Sequence, residues 1–454
     1  MRNLVLMSTL CLLACTAQAQ KLDYAPPAEV LDIYNIAVEP SPERIFSDIQ
    51  TLVNFGTRHS LSETESSTRG IGAARRWIFD EFEKISSECG GCLKVIYVSD
   101  TVEGETRIPD PVDVVSVLAL QKGFADPNRY VMMSGDIDSR VTDPLNGTLD
   151  SPGANDNASG MAGTIEAARI LSKRKYAGSI IYAGLSGEEQ GLFGGKIVAE
   201  HALKEGWEIK GVLNNDMISN ISGIDGVTDN TSVRVFSEGT RANETEEEAR
   251  LRRFTGGEVD SPSRNLARYI KAQADQYVSN LNVMLIYRLD RFRRGGHHRP
   301  FNEVGIPGIR IMETHEHYDR QHQDLRTENG IEYGDTMEGV DAQYAAKLTA
   351  LNAITIAGMA GAPPFPANVE ATGAVQASAK LTWNTPDNAS NLAGYRVHWR
   401  LTTAPEWTHS RFVGKVNEWE FKNLVIDNYF FGVSAVAKDG SETPVVFPGA
   451  AGRF

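Results

Sequence analysis

Four cysteines are all that the 454 residues contain, and two of them, Cys11 and Cys15, fall within the first fifteen positions. A framework of several disulfides is therefore excluded. So is a zinc ribbon, which needs two cysteine pairs. The other two stand in ECGGC as Cys89 and Cys92, and in an exported chain this spacing predicts a local disulfide closing a Gly-Gly turn. Beyond the first twenty residues no stretch has eighteen consecutive apolar residues, so no membrane span is expected. The formal charge is −14 without a block of basic residues, which argues against nucleic acid or an anionic membrane as partner. Internal repeats and low-complexity segments are lacking as well.

What is present begins with a leader. Arg2 precedes an apolar run from Leu4 to Cys15, and Ala17-Gln18-Ala19 supplies a small-x-small cleavage pattern. Residues 1–19 read as a secretory signal peptide, which predicts a secreted or periplasmic protein. LLAC, ending at Cys15, faintly resembles a lipoprotein cleavage box, so a lipid-anchored form is a minor alternative.

Residues 20–362 alternate apolar runs with helical patterns. Ser41-Pro42 predicts a helix start, with Ile45, Ile49 and Leu52 at helical spacing. A second amphipathic helix is expected from about Thr68, with Ile71, Ala74, Ile78, Phe82 and Ile85 on one face. Strands are expected at 93–98, 112–120, 129–133, 179–185, 209–214, 281–287 and 306–312, and helices at 157–173, 189–205 and 262–279. The segment 218–262 has no readable pattern. Near-continuous apolar strands between helices predict an α/β fold with a mixed, centrally parallel sheet covered by helices on both faces. From 363 to 454 the pattern changes to short aromatic-rich strands, which predict a C-terminal β-sandwich. Trp383, Tyr395, Leu424 and Tyr429 sit where a fibronectin type III domain has its core tryptophan, tyrosine and leucine-to-tyrosine corner, so the sandwich resembles that module.

Ligands of open α/β sheets gather beyond the carboxyl ends of the strands, and acids stand there in this chain. Asp136 and Asp138 follow RYVMM, Glu188 and Glu189 follow SIIYAGL, and Asp216 follows IKGVL. Asp156 lies in SPGANDNASG just before a helix, and a later loop carries His315, His317 and His322. Carboxylates converging at one end of a buried sheet repel one another unless cations are present or some are protonated. Carboxylate with imidazole is a ligand set for a catalytic divalent metal.

PGANDNASG, SGEEQG, NND and the late His322, in that order, resemble the secreted zinc-dependent aminopeptidases with two co-catalytic metals. That group includes bacterial leucyl aminopeptidases, and its relatives include glutamate carboxypeptidase and glutaminyl cyclase. The resemblance spans roughly residues 40 to 360. It implies two zinc ions bridged by Asp156, with Glu189, Asp216 and His322 as further ligands and Glu188 as general base. The implied reaction removes N-terminal residues from peptides with a free N-terminus. His298 is expected to reach the substrate carbonyl or to be a loop histidine at the rim. The oligomeric state is not readable.

One departure stands out. Where the family has His-x-Asp, with the aspartate orienting the histidine, this chain has Asp136-Ile137-Asp138. Asp136 as an oxygen ligand is one reading. Four ligand carboxylates then offset two divalent ions completely, which admits manganese or magnesium in one position. Arg140 would neutralise the Asp136–Asp138 pair. A second reading keeps one ion on Asp156, Glu189 and His322, as in a glutaminyl cyclase-like cyclotransferase. A third leaves a non-catalytic binding protein with a degenerate site.

Overall fold

The computed structural model describes residues 25–454, so the expected signal peptide at 1–19 lies outside the described residues. Two helices open the described chain, α1 (Leu31–Ala37) and α2 (Pro42–Val53). Ser41 caps α2 by accepting the Arg44 N–H at 3.2 Å, with Pro42 in the first turn where its lost N–H costs nothing. Helix α3 (Gly70–Glu88) buries Ile71, Ala74, Ile78, Phe82 and Ile85, the face that the spacing predicts. Cys89 and Cys92, just past its end, are joined by a disulfide.

Strands and helices then alternate: β1 (Leu93–Val102), β2 (Val112–Gln121), β3 (Asp126–Asp136), α4 (Gly160–Leu171), β4 (Gly178–Leu185), α5 (Glu188–Gly191), α6 (Phe193–Glu205) and β5 (Glu208–Asn215). There follow β6 (Ser232–Ser237), α7 (Glu246–Thr255), α8 (Pro262–Tyr277), β7 (Asn282–Ile286), α9 (His298–Glu303), β8 (Gly308–Met312), the hairpin β9 (Arg326–Glu328) and β10 (Ile331–Tyr333), and α10 (Ala342–Gly361). The main sheet has the order β1-β2-β4-β3-β5-β8-β6-β7. Its centre, β4-β3-β5-β8, is parallel, and antiparallel pairs lie to either side.

Three further elements, β6, α7 and α10, lie outside the sequence reading. The span 218–262 contains β6 and α7. Helix α10 shows no polar-apolar stripe, because it is wrapped on nearly all sides and almost every residue from Tyr344 to Ala360 is buried. It packs against α4, α1, α2 and α8.

Beyond Pro364 the chain forms β11 (Ala367–Thr372), β12 (Ala379–Asn384), β13 (Leu392–Leu401), β14 (His409–Gly414), β15 (Glu418–Phe421) and β16 (Tyr429–Ala437). They make two antiparallel three-stranded sheets, β11-β12-β15 and β14-β13-β16. Trp383 and Tyr395 meet edge to face at 5.3 Å, and Phe421 meets Phe431 at 4.6 Å. These sheets are docked on the α/β unit through Asp260, which is fully buried. Its carboxylate accepts Arg268 Nη1 at 2.7 Å and Arg400 Nη2 at 2.8 Å, while Trp407 donates to Asn265 Oδ1 at 3.0 Å.

Candidate metal centre

Register places the acids. At the carboxyl edge of the parallel centre, Asp136 of β3 lies beside Leu185 of β4, Gly135 beside Asn215 of β5, and Asn215 beside Ile311 of β8. The residues that leave these strands therefore enter one space. The turn carrying Asp156 drops onto the same edge because two glycines let it. A Cβ on Gly135 would meet the Gly160 carbonyl carbon at 2.3 Å, and one on Gly160 would meet the Asn215 carbonyl oxygen at 2.3 Å. Asp335 pins the turn from the far side, its carboxylate accepting the N–H groups of Asn155 at 2.9 Å and Asp156 at 2.6 Å. Asn155 Nδ2 donates to Glu313 at 2.9 Å, and Asn157 Nδ2 donates to Asp136 Oδ2 at 2.6 Å.

Three ligand-type side chains converge. One donor atom each from Asp156, Glu189 and His322 lies within 4.8 Å of the others. His322 Nε2 stands 3.0 Å from Asp156 Oδ2 and 2.8 Å from Glu189 Oε1. Two carboxylates and an imidazole beside an open cleft fit a catalytic zinc with three protein ligands and a free position. Burial alone would push both carboxyls up. His322 outweighs it, so Asp156 and Glu189 are held below the usual carboxylate range. Arg140 supports the trio rather than the Asp136–Asp138 pair: its Nε is 2.8 Å from Glu189 Oε2 and its Nη2 is 2.7 Å from His322 Nδ1.

The other expected site residues are distributed around this trio. Asp138 accepts the backbone N–H of Glu188 at 3.2 Å and of Glu189 at 3.0 Å, so it orients the turn that carries both glutamates. Burial pushes its carboxyl up to about 7. Glu188 lines the cleft, and burial followed by the neighbouring Glu189, Asp216 and Asp136 raises it well above the ordinary value. Asp136 is outside the trio. His297 Nδ1 holds its Oδ1 at 2.6 Å, Asn157 holds its other oxygen, and burial raises it to about 8. Asp216 is outside it too, 2.8 Å from the guanidinium of the fully buried Arg310. Arg310 also stands 3.3 Å from Asp290. His298 does not reach the cleft: it is fully buried, with Nε2 2.8 Å from the Leu289 carbonyl oxygen. His315 pairs with Asp225 at 2.7 Å, away from the trio.

The cleft over the trio has a volume of about 550 Å³. Its floor holds Asp156, Glu188, Glu189, Asp216 and His322, and its walls are rich in arginine. Neither Arg310 nor the arginine wall was found from the sequence. Arg310 sits inside the apolar run IPGIRIM, and a charge in a buried strand needs a buried partner, which is the signal that was there to be read.

The family model for Peptidase family M28 matches residues 116–341. A probable zinc metalloprotease of Leptosphaeria maculans is 42% identical over 423 residues, covering 93% of this chain and 98% of its own. A second, from Pyrenophora teres f. teres, is 42% identical over 413 residues, covering 90% of this chain and 85% of its own. Among solved structures, the LapA aminopeptidase of Legionella pneumophila shares the fold, with a TM-score of 0.54 at 19% identity over 79% of this chain and 77% of that one. LapB of the same organism gives 0.51 at 17% identity, over 73% and 76%. With the sheet, the order of the acidic turns and this similarity along almost the whole chain, the protein belongs to the M28 peptidases, beside relatives named as zinc metalloproteases.

Proposed function

We propose that this is an exported aminopeptidase that releases N-terminal residues from peptides, using one zinc ion held by Asp156, Glu189 and His322. The convergence of those three donors on a cleft that also contains Glu188 carries the reading. The chemistry that zinc supplies when bound there is polarisation of a carbonyl and acidification of water. The chain's own residues do the rest. Glu188 is adjacent to a ligand, and burial and like charges raise the proton affinity of its carboxylate, which suits a general base. It accepts a proton from water and returns it to the leaving amine. Asp138 fixes where Glu188 points by holding its backbone N–H. Asp216 lines the cleft, a carboxylate of the charge that a substrate α-ammonium would seek.

The partners of the remaining acids support one ion rather than two. Asp136 is satisfied by His297 and Asn157, and Asp216 already faces the Arg310 guanidinium, a cation standing where a second ion would draw ligands. Export is supported by the leader and by the Cys89–Cys92 disulfide, which suits an oxidising compartment. The strand pairing of the two C-terminal sheets supports a fibronectin type III-like module.

The test uses zinc-loaded protein with free and N-acetylated forms of the same peptides. Only the free forms should be cleaved, a chelator should stop the reaction, and Glu188→Gln should abolish turnover while zinc content stays the same. Equal cleavage of blocked peptides removes the aminopeptidase reading. Ammonia release from N-terminal glutamine without cleavage replaces it with a cyclotransferase.

A further inference from the structure

The chain carries −14 overall, yet its cleft is walled by cations. Residues 288–299, RLDRFRRGGHHR, hold five arginines against the single acid Asp290. Of the cleft-lining cations, Arg140 is paired with Glu189 and Arg291 with Glu316 at 2.7 Å. Arg107, Lys196, Arg293 and Arg294 have no carboxylate within 4.0 Å among the described residues. A chain with so many acids can supply counter-charges readily, and here it does not. Like charges gathered at one mouth repel one another, and a low-dielectric cleft focuses their field on whatever enters.

The wall is also a bridge. Arg291 and Arg294 line both the cleft over the trio and a neighbouring cavity of about 530 Å³. That second cavity is bounded by Phe236, Tyr287, Phe292 and Tyr318 together with Arg234 and Arg288. Arg288 and Arg293 lie over the exposed Phe292 ring, at 5.6 and 5.3 Å from its centroid. Arg294 is 3.4 Å from Gln321, which in turn donates to Asp156 Oδ2 at 3.0 Å. Arg291, paired with Glu316, and the unpaired Arg294 thus connect the cleft over the trio with the aromatic cavity. The charge of the wall suits a peptide chain bearing carboxylates.

We infer that the preferred substrates are acidic peptides. Aspartate or glutamate side chains beyond the cleaved bond are held by Lys196, Arg293 and Arg294, and the chain continues over Arg291 into the aromatic cavity. This rests on the reading of the cleft as an aminopeptidase site and names the substrate class of that site.

The experiment compares Leu-Xaa-Xaa-Tyr peptides in which Xaa is Glu, Gln or Lys, following leucine release by the zinc-loaded enzyme. Glu peptides should exceed Gln peptides about tenfold in kcat/KM at low salt, the sum of two or three exposed ion pairs, with Lys peptides lowest. Raising the salt to 0.5 M should shrink the difference. Arg293→Ser/Arg294→Ser should bring the Glu-to-Gln ratio close to one, whereas a purely structural defect lowers all three peptides alike and keeps the ratio. Binding to zinc-stripped protein, read by anisotropy of C-terminally labelled peptides, gives the same ranking without turnover. Cleavage with no preference for Glu, together with equal binding of the Glu and Gln peptides, overturns the inference. No cleavage but tighter binding of the Glu peptide sinks the aminopeptidase reading and leaves this one standing.

Discussion

Replacing Asp260 with asparagine is predicted to loosen the C-terminal sheets and, through them, the cleft. Asp260 is fully buried, and it is the only carboxylate within reach of either Arg268 Nη1 at 2.7 Å or Arg400 Nη2 at 2.8 Å among the described residues. At 2.8 Å and an effective dielectric of about 20, one such pair is worth roughly 6 kcal/mol before desolvation is subtracted. Breaking a buried pair by removing one partner costs about 3–5 kcal/mol, because the other charge stays buried. Here two guanidiniums are stranded, so about 4 kcal/mol is a conservative loss. At ~2.1 cal/mol/K per residue, a chain of this size has an unfolding entropy of ~0.9 kcal/mol/K, which puts the drop in Tm at about 4–5 °C.

The effect should also reach the substrate wall. Tyr287 lines the aromatic cavity, is stacked under Arg264 at 3.7 Å, and donates its hydroxyl to the Pro405 carbonyl of the C-terminal unit at 2.7 Å. Undocking that unit frees the base of segment 288–294, so KM for an acidic peptide should rise more than kcat falls. Calorimetry reads the first effect and steady-state kinetics the second. In the cycle Asp260→Asn, Arg400→Met and the double variant, the double should lose less than the sum of the singles. A Tm within 1 °C of the parent for Asp260→Asn would refute the reasoning.

Removing Asp335 by alanine takes away the acceptor of the Asn155 and Asp156 N–H groups, and zinc affinity should fall about 10- to 100-fold in a chelator competition. The wild type should hold one zinc per chain by elemental analysis. Arg310→Met, which leaves Asp216 without its cation, should take up a second ion at high zinc, and two ions in the wild type would refute the single-ion reading. Acid stability offers a further check at Asp290. Burial opposes its charge, but Arg310, His298 and Arg291 outweigh it and hold the carboxyl at about 2. A depressed folded value means stability that is present above the unfolded value near 4 and is lost as pH falls through about 2. Asp290→Asn should therefore remove about 2 kcal/mol at pH 6 and flatten the loss between pH 4 and 2 in denaturant titrations.

The acidic floor was legible in the sequence because its position depends on chain order alone. Acids that follow the apolar runs ending at Met133, Leu185 and Leu213 must lie at one edge of a parallel sheet. The division of labour among them was not legible, because it depends on register and on distant loops. Asp136 stands beside Asp138 in sequence, but its contacts are with His297 and Asn157, which arrive from other elements. Arg310 turns up beside Asp216 only because β8 pairs with β5. Helix α10 escaped because a helix buried on all sides lacks the periodicity that marks amphipathic ones. Most of the arginine wall comes from the one stretch 288–299, but which cavity that loop faces depends on where β7 and β8 place it, and Arg107, Arg140 and Lys196 join it from other segments.

The trio is also a cross-link. Asp156, Glu189 and His322 come from three distant places, with 33 positions from the first to the second and 133 from the second to the third. An ion held by all three closes both loops at once, and the entropy removed from the unfolded chain grows with the logarithm of loop length. Loading with metal should thus slow unfolding and guard the 313–341 segment against proteolysis. The lifetime of the fold would then be set by how fast the ion leaves.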